Sequence, residues 1–371
     1  MRITIKVGSN VLSRSDGSLD VTRMSSLVDQ ISSLRKRGVE VLLVSSGAMA
    51  SGRSELRGMV TKKMDSVEER QLYSAVGQAK LINRYFDLFR EHGIAVGQVL
   101  TMKENFSSRS LYLNQRHCMG VMLDNGVIPI INENDTVSVT ELMFTDNDEL
   151  SGLVSTMMDC DALVILSNID GLYTGRPGDA GSELIRSVSP GRDLSQYIQS
   201  EKSGFGRGGM ITKSGIAQKV AQEGIPVFIA NGKRDGILEA LLPTIEGLLN
   251  GASEEVLAAT PTPFTLFLPS SGIVSSVKKW IAHSDGFAKG EIYLNRGACD
   301  KISGDEAASV LPIGITKVSG DFDRHDIISI HDEEGRRIGV GRSEYTSDEL
   351  RSCMGKRDKK AAVHYDFLYL E

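Results

Sequence analysis

The chain has 371 residues, of which 40% are hydrophobic and 24% are charged, so its composition is that of a globular protein with two or three domains. A net charge of −6 at pH 7 argues against a general electrostatic attraction to nucleic acid or to an anionic membrane. The four cysteines form no C-x-x-C pair, no apolar run reaches membrane-spanning length, and the first residues do not resemble a signal peptide. We therefore expect a cytoplasmic protein with reduced thiols, no membrane partner and no zinc site.

Short apolar runs alternate with amphipathic helical patterns as far as about residue 255, which predicts an α/β fold with a mostly parallel sheet sandwiched by helices. The predicted strands are residues 2–7, 39–44, 95–100, 127–131, 162–166 and 226–229. The predicted helices are residues 22–36, 66–91, 111–124, 149–158 and 211–223. Ligands of such sheets bind at the carboxyl ends of the strands, so the polar residues that follow each strand are candidates for a site.

Small and charged residues end the first two predicted strands. Lys6 and Gly8 end the first strand, and Ser46 follows the second within the segment Ser-Ser-Gly-Ala. A lysine at the end of a buried strand is costly unless it meets an anion, and a glycine lets the backbone approach that anion. For each block taken alone, a lysine that reaches solvent and a simple helix-capping turn remain alternatives.

Two polar segments follow the fourth predicted strand. The run from Asn132 to Thr136 includes Asn134 and Asp135, and a second run covers residues 145–149. Asn and Asp are common in turns, and one Asp in the second run is explained as a helix cap, but three acidic residues there are not. Aspartates near lysines could hold those lysines or help to bind Mg²⁺.

After the next strand, Ser167 and Asn168 are placed to contact a nucleotide base or ribose.

A glycine-rich segment precedes the helix predicted at residues 211–223. Its sequence from residue 206 is Gly-Arg-Gly-Gly-Met-Ile-Thr-Lys, ending at Lys213. Glycine backbone, a helix N-terminus and a lysine together favour phosphate binding, whereas a surface loop is the alternative for the glycines alone. The chain has no G-x-x-x-x-G-K-[ST] motif, and a G-x-G-x-x-G match beginning at Gly204 lacks the preceding strand that dinucleotide binding requires.

The composition changes after a Thr/Pro-rich stretch at residues 258–263. Beyond it, β-type runs at residues 290–294, 326–330 and 337–341 predict a small, mainly β domain. We place the two domains at residues 1–256 and 275–371. All the candidate chemistry precedes the linker, so we expect a chain ending near Ala259 to fold and keep its activity.

In this order, the motifs resemble the amino acid kinase family, and most of all those members that phosphorylate glutamate. The resemblance rests on Lys6-Val7-Gly8-Ser9, Ser45-Ser46-Gly47-Ala48, Gly77-Gln78, Asn132-Glu133-Asn134-Asp135, Asp146-Asn147-Asp148, Gly171-Leu172-Tyr173-Thr174 and Gly208-Gly209-Met210-x-Thr212-Lys213. The C-terminal part, with Trp280 and Gly290-Glu291-Ile292, resembles a PUA domain.

The resemblance implies ATP-dependent phosphorylation of the L-glutamate side-chain carboxylate to γ-glutamyl phosphate, the first step of proline biosynthesis, with Mg²⁺ accompanying ATP. It implies catalytic roles for Lys6, Lys213 and Asp148, and glutamate binding by Ser46, Asn134, Asp135 and Asn147. The nucleotide-binding residues would be Lys6, Gly8, Ser167, Asn168, Arg207, Gly208, Gly209, Met210, Ile211, Thr212 and Lys213, and no residue is assigned as a metal ligand. It further implies feedback inhibition by proline, a reductase that receives the product, and a homo-oligomer.

Three alternatives remain open. One is a kinase of the same fold acting on aspartate, acetylglutamate, carbamate or a nucleoside monophosphate. Another is an RNA-binding or RNA-modifying protein, although residues 275–371 carry fifteen Lys and Arg against seventeen Asp and Glu, which makes nucleic acid a poor partner. The third is a regulatory protein with an inactive site.

Overall fold

The computed structural model describes residues 1–137, 146–194, 197, 210–253, 260–270, 288–304 and 308–370. Arg207, Gly208 and Gly209 of the predicted phosphate loop, and Trp280, lie outside these residues. The chain divides into two compact units, one made of Met1–Lys103 and Asn114–Ile273 and the other of Glu104–Leu113 and Val274–Glu371. Within the described residues, no helix combines the length and the apolar composition needed to cross a membrane.

An eight-stranded sheet forms the centre of the first unit, with the order β3-β4-β2-β1-β5-β7-β8-β6. Its strands are β1 (Arg2–Val7), β2 (Glu40–Ser45), β3 (Val96–Thr101), β4 (Ile128–Glu133), β5 (Ala162–Ser167), β6 (Ser187–Val188), β7 (Val227–Asn231) and β8 (Phe264–Phe267). The paired strands are parallel except for β7 and β8, which are antiparallel. The central strands are almost continuously apolar because helices cover both faces of the sheet.

The predicted helices begin and end within two residues of the positions that the sequence indicates. The helices before residue 260 are α1 (Ser9–Leu12), α2 (Val21–Lys36), α3 (Ala48–Glu55), α4 (Ser66–Glu91), α5 (Glu104–Ser107), α6 (Arg109–Asp124), α7 (Asn147–Met157), α8 (Met210–Gln222) and α9 (Ile237–Leu249). The short helices α1, α3 and α5 and the longer α9 were not predicted as helices. The predicted α/β class with a mostly parallel sheet is confirmed.

Strand β8 lies beyond the predicted domain limit at residue 256, yet it is part of the first sheet. Phe264, Leu266 and Phe267 are at most 2% exposed. Arg186 also fastens the preceding segment, because its guanidinium donates hydrogen bonds to the carbonyl oxygens of Thr260 and Thr262. The linker composition therefore does not mark the end of this unit, which continues to Ile273.

Helices α3 and α4 cross with their backbones in contact. A Cβ atom on Gly77 would lie 1.8 Å from the carbonyl oxygen of Ala48, and one on Gly52 would lie 1.9 Å from that of Tyr73. The crossing fixes the turn between β2 and α3, which contains Ser46, against the long helix α4.

We expect Gly77→Ala to lower the free energy of unfolding by about 2 kcal/mol or more, because the added methyl group must force the two helices apart. Gly120→Ala is the matched control, since a Cβ atom there meets no atom within 4 Å in α6. Alanine should stabilise that helix slightly. Urea denaturation of both variants measures the difference, and equal stabilities would contradict the close helix crossing.

The second unit contains a five-stranded sheet with the order β10-β9-β11-β12-β13. Among the described residues from 288 onward, its strands and longer helices are β9 (Gly290–Leu294), α10 (Arg296–Ile302), β10 (Ile315–Gly320), β11 (Ile327–His331), β12 (Arg337–Ser343), α11 (Ser347–Cys353) and β13 (Val363–Leu370). Ile292, Ile328 and Ile330 are fully buried in its core. The predicted small, mainly β unit is confirmed for these residues.

Candidate active site

The carboxyl ends of the central strands bring the predicted residues to one edge of the sheet. Val7 of β1 pairs with Ser45 of β2 on one side and with Leu166 of β5 on the other. The Gly8 N–H then donates a 3.1 Å hydrogen bond to the Leu166 carbonyl oxygen. Parallel pairing thus places the segments that follow β1, β2 and β5 next to one another, as the sequence predicted.

A buried carboxylate joins two lysines from distant parts of the chain. Asp148, in the first turn of α7, is fully buried and forms ion pairs with Lys6 of β1 and, at 2.8 Å, with Lys213 of α8. Burial alone would raise the pKa of Asp148, but the two lysines outweigh it and lower that pKa to about 2. These three groups together carry a net charge of +1.

Asp146 begins α7 and adds a second carboxylate beside Asp148. Its Oδ1 accepts hydrogen bonds from the N–H groups of Asp148 at 2.9 Å and Glu149 at 3.2 Å, which is helix capping. Its Oδ2 is buried and has no hydrogen-bond partner among the described residues. Burial and the charge of Asp148 raise the pKa of Asp146 to about 6. A carboxyl group with one capping oxygen and one unsatisfied oxygen is suited to face a ligand or an ion.

A chain of amide hydrogen bonds fixes Ser46. The Asn147 side-chain N–H₂ donates to Ser46 Oγ and to Asn132 Oδ1, both at 2.9 Å. The Asn132 N–H₂ in turn donates to Gln78 Oε1 at 2.8 Å. Both amide hydrogens of Asn147 are engaged, whereas Ser46 accepts a hydrogen bond and its own O–H is available to donate to a ligand.

Helix α4 presents a row of polar residues to the segment after β4. Arg70, Ser74 and Gln78 are four residues apart and so lie on one face of the helix. Arg70 Nε lies 3.6 Å from Asp135 Oδ1, and the Ser74 O–H donates to Asp135 Oδ2 at 3.2 Å. Burial raises the pKa of Asp135, and Arg70 and Ser74 partly offset this rise.

The segment after β5 has its own supports. Ser167 is buried and Asn168 is exposed at the end of this strand. Asp170 binds Arg234 through two hydrogen bonds of 2.6 and 2.8 Å. Thr265 of β8 accepts a hydrogen bond from the Leu172 N–H at 2.8 Å. The strand beyond the predicted domain limit therefore holds the loop that follows β5.

The structure brings most of the predicted residues together. Lys6, Lys213 and Asp148 form one cluster, Ser46 and Asn147 form a second, and Asp135 contacts α4. Asn134 Oδ1 accepts a hydrogen bond from the Thr136 O–H, and its contact with a substrate stays a prediction. The amide that contacts Asn147 is that of Asn132. Met210, Ile211 and Thr212 lie at the start of α8, together with Lys213. The roles assigned to all these residues remain predictions.

Three further residues that contact the predicted ones had no site role assigned from the sequence: Arg70, Gln78 and Asn132. Asp146 was considered only among the aspartates that could hold the lysines or help to bind Mg²⁺. The four-residue spacing of polar side chains in α4 was the available signal for Arg70 and Gln78. Within the described residues, no group of three or more His, Cys, Asp or Glu could hold a metal ion.

Known proteins resemble this chain along its whole length. Among solved structures, UMP kinase from Bacillus anthracis has a TM-score of 0.48 at 16% identity, over 73% of this chain and 96% of that chain. Two curated relatives are named glutamate 5-kinase. The one from Bacteroides thetaiotaomicron is 62% identical over 100% of this chain and 98% of the relative, and the one from Chlorobaculum tepidum is 44% identical over 100% and 97%.

Family models match both parts of the chain. The PUA domain model matches residues 290–365, within the second unit. The model of the amino acid kinase family matches residues 1–231, which contain both lysines and the carboxylate that joins them. The chain therefore belongs to the amino acid kinase family.

Proposed function

We propose that the protein transfers the γ-phosphoryl group of ATP to the side-chain carboxylate of L-glutamate, giving γ-glutamyl phosphate and ADP as the first step of proline biosynthesis. The observation that carries this proposal is the ion-paired cluster of Lys6, Asp148 and Lys213 at the carboxyl edge of the sheet. The relatives named glutamate 5-kinase, which match the chain from end to end, support the choice of substrate.

The cluster suits phosphoryl transfer to a carboxylate. A glutamate oxygen forms the new bond to the γ-phosphorus while the bond from phosphorus to the ADP oxygen breaks. The acceptor is already ionised at pH 7, so no general base is needed, and the main requirement is positive charge and alignment. Lys6 and Lys213 supply that charge from two segments, and Asp148 holds both ammonium groups in place before the substrates bind.

We assign glutamate recognition to Ser46, Asn134, Asp135 and Asn147. Asp135 would bind the substrate ammonium, since it is a partly exposed carboxylate beside the amide chain. The O–H of Ser46 would donate to a substrate carboxylate, while Asn147 holds the Ser46 side chain in position. The arrangement provides an anionic acceptor for the substrate ammonium and a neutral hydroxyl donor for a substrate carboxylate.

ATP would lie over the segments after β1 and β5 and the N-terminal end of α8, with Lys6, Gly8, Ser167, Asn168 and residues 207–213 as its contacts. Mg²⁺ commonly binds through one or two carboxylates together with substrate phosphates. The buried, unpartnered Oδ2 of Asp146 fits such an ion. When bound, Mg²⁺ would neutralise phosphate charge, and Asp146 would be the carboxylate of this chain that faces it.

Other properties implied by the resemblance are also proposals. We propose inhibition by proline, transfer of the acyl phosphate to a reductase, assembly as a homo-oligomer and a cytoplasmic location. The boundary between the kinase and PUA-like domains is proposed to follow Ile273.

A substrate panel tests the function. Release of ADP from ATP and Mg²⁺ should require L-glutamate, and L-aspartate, N-acetyl-L-glutamate and UMP should support it at least about 100-fold less well. Aspartate is one methylene shorter and would place its carboxylate away from the lysines. Preference for any of these three compounds would identify a different kinase of the same family.

We expect Asp135→Asn to raise the KM for glutamate about tenfold or more while it changes the KM for ATP less than about twofold, because the lost charge-assisted hydrogen bond is made only to glutamate. Steady-state kinetics with each substrate varied in turn measures both constants. Asp170→Asn is the control, because Asp170 binds Arg234 in the segment after β5 and is not among the residues assigned to glutamate. A selective rise in the ATP KM of Asp135→Asn would instead place Asp135 at the nucleotide.

A further inference from the structure

We infer that Arg70 is a positioning residue for glutamate binding that acts through Asp135. The inference rests on the proposed function and adds to it a residue on α4, a helix that the family motifs leave without a charged role at the site. Arg70 would set both the direction and the ionisation of the carboxylate that receives the substrate ammonium.

Arg70 is buried and lies close to the Asp135 carboxylate. The residue is 7% exposed, and its Nε lies 3.6 Å from Asp135 Oδ1. Ser74, one helical turn further along, donates to the other oxygen of the same carboxylate at 3.2 Å. Each Asp135 oxygen is thus held by α4, and the helix itself is fixed by its crossing with α3 at Gly77.

Burial of an arginine side chain costs free energy, because its charge loses contact with water. An exposed ion pair contributes little to stability, and a buried pair is often no more stabilising than apolar residues of the same size. The Arg70–Asp135 pair lies between α4 and the loop after β4, next to the amide chain that ends at Ser46. A role in ligand binding explains a buried pair at this position better than a role in stability does.

Arg70 lowers the pKa of Asp135 and so favours the ionised carboxylate. Among the described residues, Arg70 is the charged group that acts on Asp135, and Ser74 is the other side chain that favours its ionised form. Burial favours the protonated form. Removal of Arg70 therefore raises the pKa of Asp135 further.

Only the ionised carboxylate binds an ammonium group well. In the Arg70→Met variant, the KM for glutamate should rise as the pH falls through the raised pKa of Asp135. The KM should approach the wild-type value again at higher pH, where Asp135 is ionised in both proteins. The kcat should change little, because the two lysines and Asp148 remain in place.

The test is the pH dependence of the glutamate KM between about pH 5.5 and 8.5, measured on the full chain. We expect Arg70→Met to raise this KM several-fold at pH 5.5 and less than about twofold at pH 8.5, because only the lower pH protonates Asp135 in the variant. Arg70→Lys should restore most of the affinity at the lower pH. Arg90→Met is the matched control, since Arg90 lies on the same helix in an exposed pair with Asp87 and should leave the profile unchanged.

A double-mutant cycle separates this role from a structural one. In an Asp135→Asn background, Arg70→Met should have no further effect on the glutamate KM, because the group through which it acts has lost its charge. An equal loss at every pH, or additive effects in the cycle, would overturn the inference. If Arg70→Met does not fold, Arg70→Gln replaces it in the same cycle.

The proposed function and this inference fail separately. Without glutamate-dependent ADP release by the wild-type protein, the proposed function is wrong. With such activity present, a wild-type pH profile for Arg70→Met refutes the role of Arg70 alone. The Asp146 carboxyl, whose pKa is raised to about 6, is common to all the variants, so its titration cancels when profiles are compared.

Discussion

Replacement of Lys6 or Lys213 by alanine is expected to lower kcat by about 100-fold or more, with a smaller change in the KM for glutamate. Each ammonium group is held by Asp148 before the substrates bind, so it stabilises the moving phosphoryl group without a cost of reorganisation. Loss of one such contact acts on the transition state more than on ground-state binding. Single-turnover and steady-state kinetics together distinguish these two effects.

The control for the lysine variants is Lys233→Ala, because Lys233 is exposed after β7 and forms no ion pair among the described residues. Its kcat should stay within about twofold of the wild-type value, the range expected of a surface substitution. A Lys6→Ala or Lys213→Ala protein with near wild-type kcat and only an altered KM would show that the cluster serves binding alone.

A chain that ends at Ala259 is expected to lose cooperative unfolding and all kinase activity, which reverses the expectation from the linker composition. The cut removes β8, whose Phe264, Leu266 and Phe267 are buried in the first sheet. Burial of such side chains contributes about 1.5–3 kcal/mol each, and three of them approach the whole stability of a typical domain. The cut also removes Thr265, which holds the loop after β5.

The matched control is a chain that ends at Ile273 and so keeps β8. It should unfold cooperatively by circular dichroism and phosphorylate glutamate, although the Glu104–Leu113 segment, which belongs to the other unit, loses its partners. If the chain ending at Ala259 is folded and active, β8 is dispensable and the limit predicted at residue 256 is the better one.

The regular elements of the first unit were predictable because strand and helix patterns there are strong. Strand β1 was placed at residues 2–7 and helix α4 at residues 66–91, both as observed. In α4, an Asp65 capping box marks the start, and apolar residues recur at helical spacing. The residues that follow each strand could also be predicted to meet, since parallel strands end at one edge of the sheet.

Two features of the structure could not be predicted from local sequence patterns. The strand β8 has only four residues, and the Thr- and Pro-rich residues that precede it have the composition of a linker. Its partner strands are distant in sequence, and local patterns do not contain that pairing. The contact between Asn132 and Asn147 joins the end of β4 to the start of α7, and local patterns do not contain that contact either.

The expected product is an acyl phosphate, and hydroxylamine trapping detects it most directly. The purified full chain, incubated with L-glutamate, ATP, Mg²⁺ and hydroxylamine, should form γ-glutamyl hydroxamate in amounts equal to the ADP released, as identified by mass spectrometry. The Lys213→Ala protein should form about 100-fold less in the same time. Release of ADP by the wild-type chain with glutamate but without the hydroxamate would contradict the transfer of a phosphoryl group to the side-chain carboxylate.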